Sequence, residues 1–224
     1  MKLVLTSADI FKPDILSEVV SLVGKPTEKT SVAVLTEASA VENSDKRWLI
    51  NGLNKLTKTF GGTIDIVNLL ALPLEEVKTR IEKCDIIYCF GGSTEWLKKV
   101  FDKTVFSKLL PELLKTKVWV GSSAGSMILG KMPTTATQDY LYNVIDYYGV
   151  KKYLEFVNFS ILPHLFGDFV PKNSFSKCVE ESKKQKYPVY VLSDKSAVIV
   201  NNTKTYLVGK KCYKLVSGKV EEKL

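Results

Sequence analysis

Short apolar runs alternate with amphipathic segments through the first half of the chain. The runs are rich in β-branched residues and too short for ordinary helices, which predicts strands at 2–6, 31–37, 63–70, 85–90 and 117–121. Apolar residues at helical spacing between them predict helices at about 12–23, 44–59, 74–83 and 94–115. Strand–helix alternation of this kind predicts a three-layer α/β fold, with a mostly parallel central sheet and helices on both faces.

The last third of the chain has a different pattern. Four apolar runs follow one another closely, separated by short polar gaps, at 189–192, 197–200, 205–208 and 212–216. Gaps of this length and composition are typical of hairpins, so we expect antiparallel hairpins near the C-terminus. No linker, repeat or low-complexity stretch interrupts the sequence, and we expect a single domain over residues 1–224.

The composition is that of an ordinary globular protein. Of the 224 residues, 45% are hydrophobic and 25% are charged. No apolar stretch approaches the roughly 18 residues of a membrane span, and MKLVLTSADIF resembles a first buried strand more than a signal peptide. We therefore expect a cytoplasmic protein without membrane contact. The four cysteines form no C-x-x-C pair and there is one histidine, so we expect free thiols and no metal site.

The net charge of +8 raises the question of nucleic-acid binding. Of the 32 basic residues, only Arg47 and Arg80 are arginines, and the lysines are spread along the chain. Arginine is the residue that reads bases and grips phosphate bidentately. The charge therefore indicates a solvated lysine-rich surface, and we expect no nucleic-acid partner.

Residues Gly121-Ser122-Ser123-Ala124-Gly125 fit the pattern G-x-S-x-G between a predicted strand and a predicted helix. In a nucleophile elbow the serine occupies a strained turn, so the residues two positions away on either side must be small. The Ala124 amide would then be placed to donate to a developing oxyanion. Ser123 is thus a candidate nucleophile, and a tight turn without chemistry is the alternative.

A second glycine turn, Gly91-Gly92-Ser93-Thr94, follows the fourth predicted strand. Neighbouring parallel strands would bring this turn beside the elbow, and glycine allows close approach of a backbone amide to a ligand. Gly92 is therefore our candidate for the second oxyanion donor. A helix-capping turn is the alternative interpretation.

A serine nucleophile needs a general base, and His164 is the only imidazole in the chain. A carboxylate must then orient the ring. The α/β-hydrolase order places the acid between serine and histidine, where the candidates are Asp139, Asp146 and Glu155. The alternative is Asp194, which follows the strand VYVLS at a position similar to that of His164; a role for Asp194 in a hairpin turn also stays open.

Four blocks spread over nearly the whole chain resemble the serine peptidase family of aspartyl dipeptidase (dipeptidase E), which is related to cyanophycinase. They are LVLTS near the N-terminus, GGSTEWL at 91–97, VGSSAGSMI at 120–128, and ILPH at 161–164 with LSDKSAVIV at 192–200. The resemblance implies a fold similar to class I glutamine amidotransferases and a triad of Ser123, His164 and Asp194. It also implies oxyanion donors at Gly92 and Ala124, a small peptide substrate and no cofactor.

The sequence departs from this family at two positions that affect the substrate. Ser93 stands where the family has asparagine in GGNT, and no arginine after Arg80 is present to read a substrate aspartate. We expect Gly91 and Ser93 to contact the substrate and Lys172 to offer a positive charge, although without a bidentate fork. We expect a monomer or homodimer that acts as a dipeptidase or small-peptide hydrolase. An esterase or amidase, a catalytically silent ligand-binding protein and a nucleic-acid-binding protein are the alternatives.

Overall fold

The computed structural model describes residues 1–224. Its strands are β1 (Lys2–Thr6), β2 (Val32–Leu35), β3 (Ile64–Ile66), β4 (Ile86–Cys89), β5 (Val118–Ser122), β6 (Ser160–Leu162), β7 (Val189–Leu192), β8 (Ser196–Asn201), β9 (Lys204–Gly209), β10 (Cys212–Val216) and β11 (Lys219–Lys223). Its α-helices are α1 (Pro13–Val23), α2 (Arg47–Thr59), α3 (Leu74–Glu82), α4 (Thr94–Lys103), α5 (Phe106–Leu113), α6 (Ala124–Met127), α7 (Thr135–Tyr142) and α8 (Ser174–Lys184).

A seven-stranded sheet forms the centre of the molecule, in the order β3-β2-β4-β5-β1-β8-β9. The first five strands of this order pair in parallel, and β8 and β9 add an antiparallel hairpin beside β1. The predicted α/β class, with its mostly parallel central sheet and C-terminal antiparallel strands, is confirmed.

Both faces of this sheet are covered. Along β1, Leu3 and Leu5 belong to one buried cluster with the apolar residues of α3, α4 and α5, whereas Val4 belongs to a second cluster with those of α1 and α2. Successive side chains of a strand point to opposite faces, so the strands must be apolar throughout when helices cover both sides. This is why β1, β2, β4 and β5 read as continuous apolar runs.

A second sheet, in the order β11-β10-β7-β6, lies outside the central one. In it β6 and β7 pair in parallel, and β10 pairs antiparallel with both β7 and β11. The spacing of the C-terminal runs does not predict this separation. The second and third of the four predicted runs form the hairpin of β8 and β9 in the central sheet, whereas the first and the last form β7 and β10 of the second sheet. The chain therefore changes sheets between β7 and β8, at residues 193–195.

The segment 94–115, predicted as one helix, forms two. Val105 between α4 and α5 has φ = 61°, in the left-handed region, and its amide bonds to the Asp102 carbonyl. A β-branched residue in this conformation is unusual. The sequence has no glycine or proline at the break, so it does not predict the end of α4. None of the helices is both long and apolar enough to cross a membrane.

The strain at Val105 gives a test of the helix break. A left-handed backbone disfavours any residue with a Cβ atom by about 1–2 kcal/mol, and glycine escapes this. We expect Val105→Gly to be more stable than Val105→Ala, by about 1 kcal/mol in urea-induced unfolding. At an unstrained site alanine would instead be the more stable of the two by about 0.4–1 kcal/mol, so that order would contradict the observed conformation.

Candidate active site

Three neighbouring strands of the central sheet end in residues of the site. Thr6 of β1 pairs with Ser122 of β5, and Cys89 of β4 pairs with Gly121. The parallel registers therefore place Ser7, Ser123 and Gly91 in one row just beyond the sheet. Ser7 and Ser123 directly follow their strands, and Gly91, two residues past Cys89, is in register with Ser123. Carboxyl ends of parallel strands at which loops meet are the usual location of sites in such folds.

Ser123 has the backbone expected of a nucleophile elbow. Its φ of 50° and ψ of −110° lie outside the regions that L-residues normally occupy, which costs about 1–3 kcal/mol. The flanking glycines make the turn possible. A Cβ atom at Gly121 would lie 2.4 Å from the Gly125 carbonyl oxygen, and one at Gly125 would lie 2.1 Å from that of Cys89. The turn therefore requires glycine at both positions.

His164 and Asp194 follow two adjacent parallel strands of the second sheet. Leu162 at the end of β6 pairs with Val191 of β7, so His164 and Asp194, just past the two strand ends, come together. His164 Nδ1 lies 2.7 Å from Asp194 Oδ1, and His164 Nε2 lies 2.8 Å from Ser123 Oγ. A carboxylate can only accept, so Nδ1 carries the proton in this contact and Nε2 is free to accept from the serine hydroxyl.

The surroundings of Asp194 favour its charged form. Burial raises the pKa of this carboxyl, but the hydrogen bond and charge of His164 and a hydrogen bond from Ser7 outweigh burial, and the pKa lies below its ordinary value. Asp194 can therefore serve as a charged acceptor that fixes the orientation of the ring.

Ser7 is a member of the site that sequence reasoning missed. It is fully buried, its hydroxyl donates to Asp194 Oδ1 at 2.8 Å, and its oxygen accepts from the His164 amide at 2.7 Å. One side chain of the central sheet thus holds both members of the pair from the second sheet. The signal in the sequence was the position of Ser7 directly after the first strand.

Two backbone amides near Ser123 are free to bind a ligand. Neither the Gly92 N–H nor the Ala124 N–H forms a hydrogen bond within the chain. Gly92 has φ = 131°, and a Cβ atom there would lie 2.1 Å from the Ala38 carbonyl oxygen, so this position requires glycine. A Cβ atom at Gly91 would lie 3.1 Å from Ser123 Cβ, which shows how closely the two turns approach.

The predicted contact residues differ in where they lie. Gly91 and Ser93 line the same cleft of 1290 Å³ as Ser123 and His164. The Ser93 hydroxyl also caps α4 by accepting from the Trp96 amide at 3.1 Å. Lys172 is exposed and does not line the cleft, although its neighbour Pro171 does. The substrate-binding role of Lys172 stays a prediction without a contact to support it.

The acids of the α/β-hydrolase order bond elsewhere. Asp139 accepts from the Tyr147 hydroxyl at 2.7 Å, Asp146 accepts from the Tyr148 amide at 2.7 Å, and Glu155 pairs with Lys131 at 3.1 Å. None of them contacts His164, so the geometry favours Asp194 over these alternatives.

The cysteines take no part in the site. All four are buried and free, as the sequence predicts. Burial raises the pKa of Cys212 to about 11 and that of Cys178 to about 12, which keeps these thiols protonated and poorly nucleophilic. The structure brings together no group of three or more His, Cys, Asp or Glu side chains that could hold a metal ion.

Comparison with known proteins assigns this arrangement to a family. The sequence profile of peptidase family S51 matches residues 3–208, and the chain belongs to this family. It is therefore a serine-type peptidase, a hydrolase of the dipeptidase E and cyanophycinase type, as the four sequence blocks predict.

Individual relatives agree with this assignment. An uncharacterised peptidase of Listeria monocytogenes is 28% identical over 166 residues, which cover 71% of this chain and 78% of the relative. An uncharacterised peptidase of Pasteurella multocida is 24% identical over 178 residues, which cover 78% and 83% of the two chains.

Two solved structures have a similar fold. A Listeria monocytogenes protein provisionally assigned as peptidase E has a TM-score of 0.73 at 23% identity, over 92% of this chain and 96% of its own. A peptidase from an acI-B1 Actinobacterium has a TM-score of 0.69 at 14% identity, over 98% and 92% of the two chains.

The position of Ser7 predicts a graded effect on reactivity. We expect Ser7→Ala to slow labelling of Ser123 by a fluorophosphonate probe about 10-fold or more, because a hydrogen bond to a charged group is lost. Ser7→Cys has a similar size but a weak donor, and should be intermediate. The matched control is Ser160→Ala, since Ser160 is equally buried and donates to the Lys131 carbonyl at 2.9 Å, away from the site. Equal labelling rates for Ser7→Ala and Ser160→Ala would contradict a positioning role.

Proposed function

We propose that the protein hydrolyses dipeptides or other small peptides by acyl transfer through a triad of Ser123, His164 and Asp194. The observation that carries the proposal is the continuous line of contacts at 2.8 Å and 2.7 Å from the serine hydroxyl through the imidazole to the carboxylate. These lengths are within the reach that nucleophile, base and orienting acid require.

In the proposed reaction, His164 Nε2 takes the proton of Ser123 Oγ as the oxygen attacks the peptide carbonyl. Asp194 holds the ring and stabilises the imidazolium, which then protonates the leaving amine. Water, activated by the same imidazole, hydrolyses the acyl-enzyme and regenerates the serine. Apart from water and the substrate, the proton transfers of these steps use only side chains of this chain.

The free amides of Gly92 and Ala124 are the proposed oxyanion donors. Removal of one such donor typically costs about a hundredfold or more in rate. Gly91 keeps the neighbouring turn close to Ser123, and Ser93 fixes the turn by capping α4. We propose that the substrate lies along these residues in the cleft.

We extend the proposal to the setting of the enzyme. The chain works as one domain over residues 1–224, as a monomer or homodimer in the cytoplasm, without a metal, organic cofactor or nucleic-acid partner. Lys172, exposed next to Pro171 at the cleft, would offer a charge to an extended substrate.

Labelling with a serine-reactive fluorophosphonate probe tests the nucleophile and base. We expect the wild-type protein to be labelled, Ser123→Ala to be unlabelled, and His164→Gln to be labelled about 10³-fold more slowly or worse, because members of a triad act as a unit. Labelling that persists at the same rate in His164→Gln would sink the assignment of the base.

The acid is tested by a matched pair of variants. We expect Asp194→Asn to lower peptide hydrolysis about 10³-fold or more, because the imidazole loses its orienting acceptor. Asp139→Asn should stay within about twofold of wild type, since Asp139 contacts Tyr147 and not the ring. A greater loss from the Asp139 change would favour the α/β-hydrolase order.

Probe labelling without hydrolysis of any peptide in a panel would point to ester or amide substrates.

The pH dependence follows from the single imidazole. Activity should rise with pH through one ionisation, as the ring loses its proton and becomes able to act as a base. The pKa of Asp194 lies below its ordinary value, so this carboxyl stays charged above about pH 4 and adds no second ionisation to the activity above that pH. Two rising ionisations of activity between about pH 4 and pH 7 would contradict the scheme.

The lowered pKa of Asp194 also makes folding stability depend on pH. A carboxyl whose pKa is lower in the folded than in the unfolded chain stabilises the folded state at a pH above its pKa in the unfolded chain. This contribution is lost as the pH falls through its pKa in the folded chain. The difference in unfolding free energy between wild type and Asp194→Asn should therefore shrink below about pH 4.

A further inference from the structure

Glu95 is a buried carboxylate in the cleft without a basic partner. It is 3% exposed and lines the same cleft as Ser123 and His164. The cleft has three other acids, which differ from Glu95. Asp9 is paired with Lys55 at 2.8 Å, Glu42 lies 3.7 Å from Lys46, and Asp146 is exposed to water.

The hydrogen bonds of Glu95 are incomplete. Its Oε1 accepts from the Tyr153 hydroxyl at 2.6 Å, but that hydroxyl lies equally close, at 2.6 Å, to Oε1 of Gln138. Burial raises the pKa of Tyr153, so the phenol keeps its one proton, and one proton serves only one of the two oxygens fully. Oε2 of Glu95 accepts no hydrogen bond within the chain. Buried side-chain oxygens without a hydrogen bond occur at Glu37 and Ser174 but not at Glu95, so Oε2 of Glu95 is open to the cleft, where a bound group can donate to it in place of water.

The place of Glu95 in the chain puts it beside the reacting atoms. It lies three residues after Gly92, the proposed oxyanion donor, so the two Cα atoms are at most about 10 Å apart. Because Glu95, Gly92 and Ser123 also line the same cleft, a substrate residue whose carbonyl lies at Ser123, or the residue next to it, can reach Glu95.

We propose that Glu95 binds an alkylammonium group of the substrate, close to the scissile bond. The proposal rests on the proposed peptidase function and specifies its substrate class: peptides with a free α-amine, or with a lysine side chain, at the residue before the cleaved bond. An acidic first residue would bring a like charge to Glu95 and is disfavoured. This agrees with the absence of arginine after Arg80.

Glu95 also occupies the first turn of α4, where a carboxylate favours the helix. That role would affect folding stability and would not depend on the substrate. The two roles therefore differ in what they predict, and Glu75 offers a matched control, because it is an exposed acid in the first turn of α3.

The first measurement uses the wild-type enzyme alone. Dipeptides that begin with alanine, lysine or aspartate are compared with the α-amine free and acetylated. We expect free alanyl and lysyl peptides to be cleaved at least about 10-fold faster than acetylated alanyl peptides, and aspartyl peptides to be poor substrates. Cleavage of acetyl-lysyl peptides would assign the side-chain amine as the bound group, and its absence would assign the α-amine. Equal cleavage of free and acetylated alanyl and aspartyl peptides would overturn the proposal.

The second measurement uses the variant Glu95→Gln, with Glu75→Gln as control. We expect Glu95→Gln to lower kcat/KM for the preferred free-amine peptide about 10- to 100-fold, mainly through KM, and to bring the ratio of free to acetylated peptide towards one. Glu75→Gln should keep the wild-type ratio. A Glu95→Gln enzyme that keeps the full preference would overturn the proposal.

Probe labelling separates this inference from the function on which it rests. A fluorophosphonate without an amine should label Ser123 in the wild type, and the control Glu75→Gln should be labelled at a similar rate. Absence of labelling in the wild type would reject the proposed triad. Normal labelling together with indifference to the substrate amine would reject only the role of Glu95.

Discussion

The parallel pairing of β5 with β1 on one side and β4 on the other is the constraint on which the site depends. Its register fixes Ser123 opposite Ser7 and brings the Gly91-Gly92 turn alongside. Because a slip of one residue would turn every side chain to the opposite face, the two buried helix layers hold the register. The apolar packing of the strands is thus what positions the polar residues beyond their ends.

The second sheet supplies the other half of the site, and Ser7 joins the halves. His164 and Asp194 follow two parallel strands of one sheet, whereas Ser123 follows a strand of the other. Asp194 lies in the short segment that connects the sheets, and its carboxylate receives hydrogen bonds from His164 and from Ser7 at the end of β1. The arrangement therefore depends on tertiary contacts at a junction as well as on the elbow itself.

Local features of the sequence predicted the central sheet and the tight turn at Ser123. The apolar runs of β1, β2, β4 and β5 and the glycines at 121 and 125 are local signals, so each could be recognised within a few residues. The strand predicted at 63–70 spans only Ile64–Ile66 in the structure, because the ends of a strand depend on its pairing partners. The break at Val105 has no signal in propensity, because a valine in a left-handed backbone is tolerated only through its tertiary context.

The contacts missed from sequence are those between residues distant in the chain. Ser7 bonds to a residue 187 positions away, and Glu95 bonds to one 58 positions away. A serine directly after a strand and an acid in the first turn of a helix are both common, so the positions of Ser7 and Glu95 do not by themselves predict these contacts. The separation of the C-terminal strands into two sheets has the same origin, because spacing indicates that strands neighbour one another but not which sheet they join.

The lone histidine has a practical consequence. A chain with one imidazole gives one set of ring signals in a nuclear magnetic resonance spectrum, and no assignment by mutagenesis is needed. Each ring nitrogen has a single, different partner in the fold, so the two nitrogen signals would report separately on the serine side and the carboxylate side. The molecule thus carries an intrinsic spectroscopic probe at the junction of its two sheets.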